Sequence, residues 1–233
     1  GSGSSEKIEW LVKGLEEPAA YVAMDISRDH LLENASAIAE VLPIPVAAVC
    51  ADFHSPIELP KDLLPPADHW LGYFPGSTIG NMTRDAAKDF LTRAADTLGA
   101  GAQFLVGFDL VKDKAVLEAA YNDARGVTAA FNMNLLRRMK AELGARLDPD
   151  DFEHYAFYNE DEDRIEMHLR ALRPTVIELD GHEFSFDEGE TLHTENSHKF
   201  TLEKFEALVN QTPWRLEKSW TDEKGWFAAC LLG

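Results

Sequence analysis

The stretch Phe74-Pro75-Gly76-Ser77-Thr78-Ile79-Gly80-Asn81 decides the fold of this chain. It follows a strand-like apolar run at 69–73 and precedes a helical pattern that begins near Asp85. Glycine lets a ligand approach the main chain, and Ser, Thr and Asn offer short hydrogen bonds. Ligands of open α/β sheets bind outside the carboxyl ends of the strands, where such a loop lies. The stretch therefore predicts a binding loop, and a Gly/Pro turn with a helix cap is the alternative.

Apolar runs alternate with amphipathic helical patterns on both sides of this loop. Helices are indicated by apolar residues at i, i+3 and i+4 before the first strand, after the first strand and after the third strand. Strands are predicted from short apolar runs at 19–26, 46–50, 70–74 and 102–108. This alternation of strand and helix predicts a parallel α/β sheet.

A different pattern follows Asp109. Two helices, predicted at 114–123 and 128–143, precede a run of strands with no helix between them. Asp180-Gly181 separates two of these strands and is a strong hairpin signal. The second helix is expected to bury its apolar residues Phe131, Leu135, Met139 and Leu143. We predict a separate unit of two helices and an antiparallel sheet.

The chain returns to its first pattern near its end. A last helical pattern leads into two strands, 214–220 and 226–232, which we expect to form an antiparallel hairpin. A terminal antiparallel hairpin is not expected in a dehydrogenase, because the sixth strand of a dehydrogenase sheet is parallel to the others. We therefore predict one sheet domain made of residues 1–111 and 200–233, with a second domain, 112–199, inserted between them.

Acidic residues stand at the ends of the first two predicted strands. Asp25 lies about twenty residues after Gly1-Ser2-Gly3, the spacing at which a Rossmann unit places a carboxylate on ribose hydroxyls. Asp52-Phe53 suits an adenine, because the acid accepts from the exocyclic amine while the ring stacks. A turn cap at Asp52 and a core Phe53 explain that pair equally well. The glycines alone are weak evidence, since an expression linker has the same composition.

Composition and charge restrict the class of protein. The chain has 233 residues, 45% of them hydrophobic, and a formal net charge of −19. A surface of that charge repels phosphate backbones and anionic membranes, so neither nucleic acid nor membrane is an expected partner. Cys50 and Cys230 lie in apolar runs and are expected to be buried thiols in a reducing compartment. No signal peptide is visible, and we expect a cytoplasmic protein.

The octapeptide 74–81 as a whole resembles the signature of the histidine-specific Nα-methyltransferases, which make histidine betaine (hercynine) in ergothioneine biosynthesis. The similarity runs from Gly1 to Leu232. It implies an α/β fold with a class I (Rossmann-like) S-adenosylmethionine-dependent methyltransferase sheet and an inserted α+β substrate-binding lid. It also implies a monomer that trimethylates the α-amino group of L-histidine with S-adenosylmethionine as methyl donor. The eight His residues show no ligand spacing, so no metal is expected.

The resemblance also implies roles for individual residues. Asn81 and Tyr121 are the implied catalytic residues, which fix the amine and the carboxylate of the substrate. Glu195 and Ser197 are implied to read the imidazole. The residues implied to bind S-adenosylmethionine are Gly1, Lys7, Asp25, Asp52 and Phe53. Those implied to bind the amino acid are Gly76, Thr78, Asn81, Tyr121, Met167, Glu195, Asn196 and Ser197.

Each substrate residue has a simpler explanation when taken alone. Tyr121 fits an amphipathic helix, Met167 fits a core, and 195–197 fits a loop before a helix. Their joint occurrence, in order and with the octapeptide, favours the site. Two alternatives stay open: a methyltransferase of another amino acid or small amine, and a non-catalytic methyltransferase-like binding domain. A nicotinamide enzyme fits the predicted end of the sheet poorly.

The chain departs from the family's pattern at its start. The family carries a sizeable segment before the position of Gly1, with the first strand of the sheet and an aromatic part of the substrate pocket. We expect this chain to be a fragment or an incomplete reading frame of an active enzyme. We expect it to fold less well or to bind more weakly than a version restored at the N-terminus.

Overall fold

The computed structural model describes residues 5–233, and the fold is given for that part of the chain. The helices are α1 Ser5–Lys13, α2 Arg28–Val41, α3 Arg84–Leu98, α4 Lys114–Tyr121, α5 Val127–Glu142 and α6 Leu202–Val209. The strands are β1 Tyr21–Asp25, β2 Val46–Cys50, β3 Leu71–Phe74, β4 Gln103–Asp109, β5 Phe152–Asn159, β6 Arg164–Ala171, β7 Thr175–Leu179, β8 His182–Phe186, β9 Thr191–His198, β10 Leu216–Thr221 and β11 Phe227–Leu232. None of the described helices is both long enough and apolar enough to cross a membrane.

These elements form two compact units. Unit 1 contains the described residues up to Thr78, together with 83–108 and 202–233. Unit 2 contains 79–82 and 109–201. The octapeptide is therefore shared, with its first five residues in unit 1 and its last three in unit 2.

Unit 1 carries the strand arrangement expected of a class I methyltransferase. β1 pairs with β2 in parallel, and β3 pairs with β4 in parallel. β11 lies beside β4 and forms an antiparallel hairpin with β10. Parallel strands joined by helices and closed by a terminal hairpin confirm the Rossmann-like α/β fold, and the α+β unit is inserted between β4 and α6.

The described strands of unit 1 form two sheets. The pair β1–β2 is separate from the sheet of β3, β4, β11 and β10. A cavity of about 730 Å³ lies at the break, and Tyr21 of β1 and Tyr73 of β3 both line it. Burial raises the pKa of Tyr21 to about 12 and also raises the pKa of Tyr73. The edges of β1 and β3 therefore border a cavity and make no hydrogen bonds to each other.

The prediction that both cysteines are buried is wrong for Cys50. Cys230 of β11 is buried, and burial raises the pKa of its thiol to about 11. Cys50, the last residue of β2, is exposed, and so is Ala48 two residues before it. β1 is the single hydrogen-bonded neighbour of β2 among the described strands, and Ala48 and Cys50 lie on one exposed face of it because alternate residues of a strand share a face.

Unit 2 is built on the antiparallel sheet β5–β6–β9, with α4 and α5 packed against β5 and β6. The hairpin of β7 and β8 is confirmed. Its turn residues Asp180 and Gly181 have φ values of 50° and 77°, as a type I′ turn requires.

The predicted buried face of α5 is wrong for three of its four apolar residues, whereas Met139 is half-buried and packs against the core of unit 2. Phe131 and Leu135 are 64% and 41% exposed, and Leu143 just beyond the helix is 63% exposed. Asn132 and Leu136 are fully buried instead. The helix is rotated by about one residue from its apolar stripe, because the Asn132 amide is hydrogen-bonded inside the unit.

Candidate functional site

The octapeptide forms a turn followed by a short 3₁₀ helix, Thr78–Asn81. Gly76, in the turn, has a φ of 83°, a conformation that residues with a side chain rarely adopt. Thr83 begins α3 as its N-cap and accepts a hydrogen bond from the Ala86 N–H at 3.2 Å. The predicted strand, loop and capped helix are therefore confirmed.

Asn81, the last residue of the 3₁₀ helix, is hydrogen-bonded to Glu195 of β9. Its Nδ2 donates to Glu195 Oε1 over 2.6 Å. Burial raises the pKa of the Glu195 carboxyl. A cavity of about 230 Å³ is lined by Asn81, His193, Thr194, Glu195 and Asn196. From the sequence these two side chains serve different parts of a ligand, but here they touch. The bond to Asn81 uses one of about four lone pairs of the Glu195 carboxylate, so the carboxylate can still accept from a further N–H.

Tyr121 and Ser197 form a second hydrogen-bonded pair. Tyr121 ends α4, and its hydroxyl donates to Ser197 Oγ over 2.7 Å. Met167 of β6 is 3% exposed and belongs to an apolar cluster against which Tyr121 packs. The two pairs show that the fold of unit 2 brings together Asn81 with Glu195 and Tyr121 with Ser197.

Lys199 was not identified from the sequence, and it contacts both residues of the second pair. Its side chain is 1% exposed, and its Nζ lies 2.8 Å from Ser197 Oγ and 3.1 Å from the Tyr121 hydroxyl. The third neighbour is Asp109 Oδ2 at 3.0 Å. Lysine is almost never fully buried unless it is paired. Its position two residues after Ser197 was the one sequence signal, because alternate residues of a strand share a face.

A bulge in β9 decides which side chains face Tyr121. Met167 pairs with Glu195, but the next residue, His168, pairs with His193. Thr194 is therefore an extra residue in β9 and shifts the alternation of side chains by one. As a result, Glu195 lies on the Met167 face of the sheet and His193 lies on the opposite face.

A buried amide holds the bulge. Asn132 of α5 is 0% exposed, and its Oδ1 accepts from Thr194 Oγ1 at 2.7 Å. Its Nδ2 donates to the His168 carbonyl at 2.9 Å and lies 3.0 Å from His154 Nδ1. The other ring nitrogen of His154 lies 2.9 Å from the Tyr121 carbonyl. Asn132, together with His154, thus links Thr194, which is next to Glu195, with Tyr121 at the end of α4.

Asn196 does not join these pairs. It is paired with Glu166 of β6, and its backbone position places it on the face opposite Glu195 and Ser197. Its Oδ1 is buried without a hydrogen-bond partner among the described residues. Asn196 therefore shares only the lining of the smaller cavity with Asn81 and Glu195, and its role in substrate binding stays a prediction.

The same opposite face carries a cluster that the sequence did not indicate. Ligand atoms of Glu166, His168 and His193 lie within 4.8 Å of one another, and the two imidazole rings stack 4.5 Å apart. Glu166 also accepts from Arg164 and from Asn159 Nδ2 at 2.9 Å. Burial raises the pKa of Glu166, but these hydrogen bonds outweigh it and lower that pKa to about 2. A cation would have to compete with Arg164, and the expectation of no metal stays a prediction.

The acids implied to bind the cofactor lie in unit 1, at the same edge of the parallel pair β1–β2. Asp25 ends β1 and Asp52 follows β2. Asp25 Oδ1 accepts from the Ser27 N–H at 2.9 Å, and Asp52 Oδ1 accepts from the His54 N–H at 2.9 Å. The backbone bond from His54 lowers the pKa of Asp52. The turn at Asp52 favours its carboxylate form, and both acids offer acceptor oxygens, which suit ribose hydroxyls and an adenine amine.

The other residues implied to bind the cofactor are Phe53, Lys7 and Gly1. The Phe53 ring lies edge-on to Phe74 and Phe90, with centroids 5.7 and 5.6 Å away, and it borders the larger cavity. Lys7 is exposed in α1. Gly1 lies outside the described residues. The acids and the aromatic ring fit the nucleoside of S-adenosylmethionine.

The chain matches the family model described as "Histidine-specific methyltransferase, SAM-dependent" over residues 1–233. Histidine N-alpha-methyltransferase from Mycolicibacterium smegmatis is 40% identical, over 99% of this chain and 73% of that protein. The protein of the same name from Mycobacterium tuberculosis is 38% identical over the same shares. Ergothioneine biosynthesis protein 1 of Schizosaccharomyces pombe is 22% identical, over 93% of this chain and 29% of that protein.

Among solved structures, an S-adenosylmethionine-dependent methyltransferase from Clostridium acetobutylicum has a TM-score of 0.46 and 11% identity, covering 91% of this chain and 73% of that chain. At that TM-score the likeness adds nothing to the assignment, which rests on the family match and the two bacterial relatives. The chain therefore belongs to the family of histidine-specific, S-adenosylmethionine-dependent methyltransferases and is an enzyme that uses S-adenosylmethionine as its methyl donor.

Proposed function

We propose that this chain transfers methyl groups from S-adenosylmethionine to the α-amino nitrogen of L-histidine and forms the trimethylated product, hercynine. The observation that carries the proposal is the joint placement in unit 2 of two hydrogen-bonded pairs, Asn81 with Glu195 and Tyr121 with Ser197. The names of the two bacterial relatives and of the fungal one support it.

Recognition of the imidazole is assigned to Glu195 and Ser197. They are two residues apart on one face of β9, so about 7 Å of strand separates them. A carboxylate that accepts from one ring nitrogen and a hydroxyl that serves the other bracket a ring with two nitrogens. Side chains that leave such groups unpaired are rejected by roughly 10⁴-fold in favourable cases. This pair is the proposed source of histidine specificity.

Alignment of the amine is assigned to Asn81 and Tyr121. S-adenosylmethionine supplies an electrophilic methyl group, so the protein mainly has to hold the amine in line with it. One N–H of Asn81 is used by Glu195, which leaves its carbonyl and second N–H as groups for the amino acid. A free α-amino group has a pKa of about 7.7–8.0, so modest help is enough to remove its proton.

The organisation of the protein follows from the same assignment. We propose that residues 1–111 and 200–233 hold the cofactor and that 112–199 hold the amino acid, with Gly76 and Thr78 contacting it from the octapeptide. The net charge of −19 supports a monomer without a nucleic-acid partner. The two free cysteines fit the reducing cytoplasm.

Mass spectrometry of histidine incubated with the chain and S-adenosylmethionine tests this function. We expect a product with three added methyl groups on the α-nitrogen. A panel of other amino acids and small amines is the control, because methylation of one of them in place of histidine would favour the alternative acceptor. Binding of both ligands by calorimetry, with no product from any acceptor, would contradict the proposal and favour a non-catalytic domain.

A further inference from the structure

Lys199 is a buried ammonium whose three hydrogens all have acceptors. Its Nζ lies 2.8 Å from Ser197 Oγ, 3.1 Å from the Tyr121 hydroxyl and 3.0 Å from Asp109 Oδ2. An ammonium has three donors and no acceptor. Because all three donors are used, Lys199 itself has none left for a ligand, and its effect passes through the two hydroxyl groups.

With Tyr121 as the donor in its hydrogen bond to Ser197, these contacts set the direction of the Ser197 hydroxyl. Its oxygen has two lone pairs, of which one accepts from Lys199 and the other accepts from Tyr121 at 2.7 Å. The hydrogen of Ser197 is then the one group that it can offer to a ligand. Without the ammonium, the same oxygen has a lone pair to spare and can accept as well as donate.

We infer that Lys199 is a positioning residue that makes Ser197 a hydrogen-bond donor and thereby restricts the site to histidine with a neutral imidazole. The inference rests on the proposed function, since it takes histidine as the ligand. A neutral imidazole has one N–H, which Glu195 accepts, and one lone pair, which Ser197 requires. An imidazolium has two N–H groups. Its second N–H would meet an oxygen with no lone pair left and an ammonium 2.8 Å behind that oxygen.

Several charged groups surround this cluster. Glu195 is the one that most affects a pH experiment, because burial raises its pKa and brings its titration closer to that of imidazole. Four titratable groups lie near Lys199 and Ser197: Asp109 at the end of β4, Lys112 after it, Tyr121 on α4 and Glu195 on β9. Three others, Arg164, Glu166 and His198, lie on the opposite face of β6 and β9. A test must therefore separate protonation of the ligand from protonation of Glu195.

Calorimetric titration of the 233-residue chain with two ligands makes that separation. One ligand is L-histidine, and the other is 3-(1,2,4-triazol-3-yl)alanine, whose ring keeps an N–H and a lone-pair nitrogen but stays neutral between pH 5.0 and 7.5. With an imidazole pKa of about 6.5, binding of the neutral form alone raises the apparent Kd of histidine about 30-fold from pH 7.5 to 5.0. Titration of Glu195 affects both ligands, so we expect the ratio of the histidine Kd to the triazole Kd to rise by that factor.

Two lysine variants isolate the role of the ammonium. In Lys199→Met, Ser197 regains a lone pair for the imidazolium, and the rise of the Kd ratio is expected to shrink to less than about 5-fold. Lys112→Met is the matched control. Lys112 binds the other oxygen of Asp109 at 2.5 Å but does not touch Ser197, so the variant should keep the full rise of about 30-fold.

The wild-type ratio alone decides the case if Lys199→Met does not fold. If the ratio of the histidine Kd to the triazole Kd changes by less than about 3-fold between pH 7.5 and 5.0, the inference is overturned. A full rise that persists in folded Lys199→Met would also overturn it, because neutral imidazole would then be selected without the ammonium. Failure of the chain to bind histidine at pH 7.5 would contradict the proposed function and, with it, this inference.

Discussion

Units 1 and 2 hold their candidate site residues in different ways. In unit 1, Asp25 and Asp52 each accept from a backbone N–H two residues further on. In unit 2, Asn81 and Glu195 are 114 residues apart in the chain and are joined by their side chains. A local turn forms from a few residues, whereas a long-range pair depends on the whole unit. The candidate cofactor acids therefore need only their strand ends, and the candidate substrate residues need the complete sheet of unit 2.

The sheets of the two units also differ in their continuity. The strands of unit 1 are divided at a cavity of about 730 Å³ between β1 and β3, while β5, β6 and β9 form one continuous sheet. The bulge at Thr194 and its hydrogen bond to Asn132 set the position of Glu195 within that sheet. Specificity for the amino acid is therefore expected to depend on the stability of unit 2.

The largest effect is expected from Glu195→Gln. The amide presents an N–H in place of an acceptor to the ring N–H of histidine, and kcat/KM for histidine should fall about 10³-fold. Steady-state kinetics measure this, with Glu188→Gln, an exposed acid of the same unit, as the control that keeps wild-type activity. Wild-type kcat/KM in Glu195→Gln would show that this carboxylate does not select histidine.

The same variant separates function from stability. Burial raises the folded-state pKa of Glu195, so its ionised form destabilises the folded protein. That cost is fully present above the raised pKa and disappears as the pH falls toward the unfolded value of about 4.3. Urea denaturation at pH 7 should therefore find Glu195→Gln at least as stable as the wild type. A less stable variant would mean that the carboxylate holds the fold.

Asn132→Leu tests whether unit 2 depends on its buried amide. The substitution removes the amide that bonds the His168 carbonyl and the Thr194 hydroxyl, and Thr194 keeps the Met167 carbonyl, at 2.9 Å, as an acceptor. We expect the free energy of unfolding to fall by about 2–4 kcal/mol. Hydrogen exchange should accelerate in β9 and not in β1. Asn134→Leu, an exposed position of the same helix, is the matched control, and equal losses in both variants would contradict the role of the amide.

Asp52→Asn tests whether the two units bind different ligands. Removing the charge of this acceptor should weaken S-adenosylmethionine binding about 10-fold and leave histidine binding unchanged. Calorimetry with each ligand measures both, and Asp62→Asn, an exposed acid of unit 1, is the control. An equal loss of histidine affinity would contradict the division between cofactor and substrate units.

The smallest effect concerns the turn of the octapeptide. Gly76 and Gly99 have φ values of 83° and 88°, and a Cβ at either would meet no atom closer than 3.9 Å. Each Gly→Ala change should therefore cost about 1–3 kcal/mol of stability through backbone strain alone. Activity should fall only in Gly76→Ala. Equal activity of the two variants would show that the turn does not contribute to the site.

Local signals in the sequence predicted most of the elements. Asp180-Gly181 predicted the β7–β8 hairpin, and the helical pattern that begins near Asp85 predicted α3. The acids at the ends of β1 and β2 were found because strand-end position is a local property. Signals of this kind need no knowledge of distant residues.

Features that depend on distant partners could not be predicted. The face of α5 was misplaced because Asn132 is buried by its bonds to β6 and β9, against the apolar pattern. β9 was not recognised because the bulge at Thr194 interrupts its alternation. Lys199 was missed because a lysine is expected at the surface, and its acceptors Asp109 and Tyr121 are far away in the sequence.

The central claim is that unit 2 reads the ring of histidine through Glu195 and Ser197. The most direct measurement is the nitrogen NMR spectrum of ring-labelled histidine bound to the chain at pH 7.5. We predict two separate resonances, one from a protonated nitrogen held by Glu195 and one from an unprotonated nitrogen that accepts from Ser197. A bound ring with two protonated nitrogens, or nitrogens that exchange their proton as in free histidine, would contradict the claim.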